Sequence, residues 1–174
     1  MSAANIERRS APGEIRAAGR RLTGYAAVFG VEARIGSIIE SIAPHAFAAS
    51  LTGGADILAL SDHDPTRVLA RTRTGSLKLV EDNKGLQFEF EVPATQAGND
   101  VLALATRGDL GGMSFGFTLP PGGERRDGNR RTLLRVNLLE ISTVSAWPAY
   151  EGTSVAARSQ APRLALALRY LDTV

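Results

Sequence analysis

Leu86-Gln87-Phe88-Glu89-Phe90-Glu91-Val92 alternates apolar and polar residues without a break. Side chains on a strand point to opposite faces in turn, so the pattern gives an antiparallel strand with one face buried and the other wet. Asn83-Lys84-Gly85 marks a turn before it. Further back, Val68–Thr74 and Leu77–Val80 read as strands around a turn at Gly75. Leu22–Gly30, rich in strand formers, Ile35–Ile42 and the short apolar run Ile57–Ser61 precede them. On the other side come Met113–Leu119, Arg131–Val136 and Leu138–Val144, with Pro120–Asn129 as a hairpin connection. Two short helices interrupt the series. One runs over His45–Leu51 behind Pro44 and stops at Gly53-Gly54. The other runs over Asn99–Arg107, with Val101, Leu102, Leu104 and Ala105 at helical spacing and Gly108 at its end. Roughly seven or eight short strands with two short helices make a β-rich α+β chain, a barrel or a sandwich.

One domain suits 174 residues, and a chain of this size buries about 70% of its unfolded surface. The expected division is a flexible lead-in over 1–21, a folded domain over 22–158, and a tail over 159–174 with a short helix at Arg163–Leu171. The absence of cysteine excludes disulfides, zinc–thiolate sites and cysteine nucleophiles, and fits a reducing compartment. No apolar run approaches the roughly 18 residues of a membrane span, and no signal-peptide core opens the sequence. The net charge is only +2. Arg125-Arg126 and Arg130-Arg131 flank the turn-like Asp127-Gly128-Asn129 without interleaved aromatics, so a solvated loop is expected there and neither nucleic acid nor membrane is an expected partner.

The chemistry centres on Gly111-Gly112-Met113-Ser114-Phe115-Gly116-Phe117 and Leu60-Ser61-Asp62-His63-Asp64. The chain has only two histidines, so a catalytic serine assisted by imidazole has His63 or His45 as its base. Gly112-x-Ser114-x-Gly116 fits the nucleophile-elbow pattern, but strand and loop residues follow where that fold needs a helix. No histidine follows the serine either, so the elbow reading fails. Ser114 is then a nucleophile on a glycine-loosened strand or an ordinary hydroxyl beside a bulge. His63 is a base, a capped turn residue or, with Asp62 and Asp64, part of a metal site that lacks further ligands. His45 reads as a surface residue. Glu140 is a lone acid in an apolar strand, on one face with Val136, Leu138, Ser142 and Val144 by the period of two. It either faces solvent or needs a partner.

Taken in order, these pieces resemble the tailed-phage prohead (capsid maturation) serine protease family. The resemblance runs from about Gly24 to Arg158. It rests on Gly24-Tyr25-Ala26-Ala27-Val28-Phe29, Glu40…Pro44-x-Ala46-Phe47, Leu60-x-x-His63-Asp64, Gly85-Leu86, Arg107-Gly108-Asp109-Leu110-x-Gly112-Met113-Ser114-Phe115-Gly116-Phe117, Leu139-Glu140-Ile141-Ser142-x-Val144 and Pro148-Ala149-Tyr150. It implies Ser114 as nucleophile, His63 as general base and Glu140 as third member. It also implies a closed antiparallel barrel of about seven strands with short surrounding helices, like that of the herpesvirus assemblins. The implied activity is a serine endopeptidase that needs no cofactor or metal. Its substrates would be the scaffold protein or the scaffold-like segment of the major capsid protein, inside the assembling procapsid in the bacterial cytoplasm, with self-cleavage and a homodimer as a further option. The rival is a catalytically inactive scaffold-binding assembly protein. There are two departures. His45 stands where the family usually shows glycine, and no arginine lies between Glu140 and Arg158, so the assemblin oxyanion hole does not carry over.

Overall fold

The alternating segment is a strand, β9 (Gly85–Glu91), and its faces divide as the alternation requires, with Leu86, Phe88 and Phe90 buried and Gln87 exposed. The computed structural model describes residues 5–11 and 15–146. In a four-stranded sheet β9 lies between β3 (Arg21–Val28) and β8 (Leu77–Glu81), with β2 (Ile15–Ala18) beyond β3. A second four-stranded sheet has the order β11 (Glu124–Asp127), β12 (Arg130–Leu133), β5 (Ile38–Ile42) and β4 (Ala33–Ile35), with β12 and β5 parallel. The third sheet has five strands in the order β1 (Glu7–Ala11), β10 (Gly112–Thr118), β13 (Asn137–Val144), β6 (Leu58–Ser61) and β7 (Asp64–Arg71). Its pairs are antiparallel except β13 with β6. The helices are α1 (Ala48–Thr52) and α2 (Gln96–Arg107). The fold is β-rich with few helices, and no ring of ladders closes among the described residues.

β10 carries Met113, Phe115 and Phe117 into the core, where Phe47 meets Phe115 edge-on at 5.3 Å between ring centroids and Phe117 stacks on Phe115 at 5.3 Å. Burying each such ring contributes about 1.5–3 kcal/mol. β3 packs against β10 and so joins two of the sheets. The strand that bears Ser114 is thereby fixed from behind by the core.

Several expectations change. Residues 7–11 and 15–18, expected in a flexible lead-in, form β1 and β2. Neither has an apolar stripe, and β1 is held by ladder bonds and ion pairs that no local pattern announces. Ile35–Ile42 is a hairpin, because Gly36 takes φ 61° between β4 and β5. The turn at Gly75 is real, but β7 and β8 then enter different sheets. Likewise 120–129 is no hairpin between β10 and β12, since it contains β11, the antiparallel partner of β12. Arg131 is not solvated but only 6% exposed, within a cluster of carboxylates. The tail over 159–174 lies outside the described residues.

Candidate active site

The two histidines sit in turns of different kinds. His45 is exposed in the turn before α1 rather than in the helix, with φ 67°. That is the left-handed conformation in which glycine is unstrained. Asp62 and His63 have φ 52° and 59° and form the two-residue connection between Ser61 and Asp64, which pair across β6 and β7. Positive φ at both central residues matches the right-handed twist of the flanking strands. Two consecutive non-glycine residues held this way store strain, and such strain gathers at functional sites. Asp62 secures the turn. Its carboxylate accepts from the Ser145 backbone N–H at 2.7 Å and from the Ser145 hydroxyl at 2.8 Å, just past the end of β13.

Glu140 reaches His63 because of a bulge. The β10–β13 register runs Ser114↔Ser142, Phe115↔Ile141 and Gly116↔Glu140, then shifts so that Phe117 faces Leu138. Leu139 is the extra residue, 37% exposed. Were the register unshifted from Phe117↔Leu138, Leu139 would pair with Gly116, and Glu140 would oppose Phe115 and point into the apolar core. The extra residue re-aims the acid, as bulges beside functional sites commonly do. The period-two expectation is corrected accordingly. Leu138 faces the core with Ile141, while Glu140 and Ser142 share the opposite face with Ser114 and Gly116.

On that face Glu140 Oε1 lies 2.6 Å from His63 Nδ1, and Oε2 accepts from the Ser142 hydroxyl at 2.5 Å. Arg8 Nε donates to Oε1 at 3.4 Å from β1. Burial alone would raise the Glu140 pKa, but the bonds from His63 and Ser142 and the charges of His63 and Arg8 hold it below the usual carboxylate value. An ionised carboxylate only accepts, so Nδ1 carries a proton, and in the neutral tautomer this leaves Nε2 as the basic nitrogen. Gly116 makes room for the acid, since a Cβ there would lie 2.5 Å from Glu140 Oε1.

Ser114 is fully buried, and its hydroxyl donates to the Arg9 backbone carbonyl at 2.9 Å rather than to His63. The structure thus brings His63 and Glu140 into contact and sets Ser114 on the neighbouring strand, under β1. Asp64 accepts from the Thr66 backbone N–H and hydroxyl, and His45 lies in a separate turn, the one before α1. Among the described residues no group of three or more His, Asp or Glu side chains is placed to hold a metal ion. From sequence, Ser142 and Leu139 had no part in the site, and Gly116 was read only as loosening the Ser114 strand. The signal for Ser142 was its two-residue spacing from Glu140, and for Leu139 there was none.

The family model of the caudovirus prohead serine proteases matches residues 5–164. The chain belongs to that family. No curated protein and no solved structure gives a significant match. As a prohead protease family member, the chain contains within its matched span β1, the strands that carry Ser114 and Glu140, and the β6–β7 turn that carries His63.

Proposed function

We propose that this prohead protease acts as a serine endopeptidase through Ser114, His63 and Glu140. The observation that supports this best is the His63 Nδ1 to Glu140 contact at 2.6 Å, made from the strand hydrogen-bonded to that of Ser114. In this reading His63 Nε2 takes the Ser114 proton as Oγ attacks the peptide carbonyl carbon, and the tetrahedral oxyanion forms. The same nitrogen returns the proton to the leaving amine, and water then releases the acyl group by the same base catalysis. Glu140 holds the ring in the productive tautomer and stabilises its charged form. The two-residue turn fixes the imidazole, and the bulge at Leu139 fixes the acid.

The substrates in this reading are the scaffold protein or the scaffold-like segment of the major capsid protein, cut inside the procapsid in the bacterial cytoplasm, with self-cleavage and action as a homodimer. Kinship with the assemblins and closure of the sheets into a barrel belong to the same proposal. Time-resolved intact-mass measurement tests it. Purified wild-type protein should shorten, and Ser114→Ala should stay at full length under the same conditions. Equal shortening of both would place the cutting elsewhere and leave the inactive scaffold-binding protein as the better reading.

A further inference from the structure

β1 has an unusual standing in the sheet. It is an edge strand, pairs antiparallel with β10 from Glu7↔Phe117 to Ala11↔Met113, and from Glu7 to Ser10 no residue is fully buried. β10 beside it is buried along nearly its whole length. Backbone bonds and charges, rather than apolar side chains, therefore hold Glu7–Ser10 on the sheet. An edge so held can exchange one extended segment for another, which is how sheets bind peptides by strand addition.

What β1 presents to β10 has the form of a peptide substrate. The Arg9 backbone carbonyl accepts from the Ser114 hydroxyl. The Arg9 side chain lies over the Phe117 ring at 5.5 Å from its centroid and donates to both oxygens of Glu40, at 2.5 and 2.9 Å. This is a two-point grip suited to a guanidinium. Glu40 is 3% exposed and is held by Arg131 at 2.9 Å, while Arg131 also bonds Glu124 and Glu7. Without β1, Glu40 keeps Arg131 as its partner, while Glu124 is shared between Arg131 and Arg126. The buried Glu40 carboxylate loses both bonds from the Arg9 guanidinium, which an incoming guanidinium would restore. Arg8, by contrast, is half exposed and only brushes Glu140.

We propose that β1 is an internal stand-in for substrate. The edge of β10 binds an extended peptide as an antiparallel strand, and the Glu40–Phe117 pocket selects an arginine at the residue whose carbonyl faces Ser114. Calling that peptide a substrate rests on the protease reading; the binding does not.

The test uses the full chain carrying Ser114→Ala, so that nothing turns over, with Ala11→Cys and Met113→Cys added at a cross-strand pair. The chain has no other cysteine, so oxidation locks β1 on β10 and reduction frees it. A fluorescein-labelled peptide copying residues 5–11 is the probe, read by anisotropy. Binding should be at least about tenfold tighter to the reduced form than to the locked form. Replacing the arginine that copies Arg9 with alanine, or Glu40→Gln in the protein without the cysteine pair, should each weaken it by about tenfold or more. Replacing the arginine that copies Arg8 should change it less than about threefold. Equal binding to locked and reduced forms, equal losses at the two arginines, or no binding to either form would overturn the proposal. Reactivity of Ser114 toward a fluorophosphonate, read separately in protein that retains the serine, reports on the protease reading alone.

Discussion

Gly116→Ala should disable the site without touching any residue of the proposed triad. A Cβ at 116 would stand 2.5 Å from Glu140 Oε1, 2.9 Å from its Cγ and 3.1 Å from its Cδ, where ordinary contact begins near 3.4 Å. The carboxylate must retreat by about 0.9 Å on these distances. His63 is poorly placed to follow, because it sits in a two-residue turn tied to β13 through Asp62 and Ser145. The His63–Glu140 bond, now 2.6 Å, would then stretch to about 3.5 Å, beyond a good charge-assisted bond. Such bonds contribute about 1.5–3 kcal/mol, which is roughly a 10- to 150-fold loss of rate. The assay is the second-order rate of Ser114 with a fluorophosphonate, with the unfolding midpoint as a control for folding. If the effect passes through Glu140, Gly116→Ala combined with Glu140→Gln should cost less than the two losses together. A wild-type rate in Gly116→Ala, or full additivity in the pair, would refute the reasoning.

Ser114→Ala and His63→Ala should each remove nearly all peptide cleavage in a kinetic assay, and the double substitution should be hardly worse, because such groups act as a unit. Glu140→Gln should retain more activity than either. His45→Gly, at φ 67°, should leave fluorophosphonate labelling unchanged and should not lower the unfolding midpoint, which separates the two histidines. Because the folded Glu140 pKa is depressed, its stabilisation is present above the unfolded pKa and is lost as pH falls through the folded value. Denaturant unfolding across the acid range should therefore show wild type losing its advantage over Glu140→Gln as the pH drops below the usual carboxylate range. A constant gap would contradict that assignment of charge.

The strands with an apolar alternation were legible in the sequence. Leu86 to Glu91 and the β10 segment show their buried faces in the residues themselves, and Asn99 to Gly108 shows its helix end. The need of Glu140 for a partner was also readable, as a lone acid among apolar neighbours. Its direction was not, because the bulge at Leu139 reverses the face and a bulge there leaves no mark in a run of leucines. β1 was missed for a different reason. Glu7-Arg8-Arg9-Ser10-Ala11 carries only charge and small residues, and what orders it is an ion network with Glu40 and Arg131, 31 and 124 residues away along the chain. The same long-range network turned Arg131 from an expected solvent-facing residue into a buried one. Periodicity records local preference, and these features come from partners distant in sequence.

The most direct measurement is peptide mapping by mass spectrometry after fluorophosphonate treatment of the folded protein. The account predicts one adduct, on Ser114, which disappears on denaturation before labelling and is nearly lost in His63→Ala. An adduct on another serine, or labelling of Ser114 that is indifferent to His63, would contradict it.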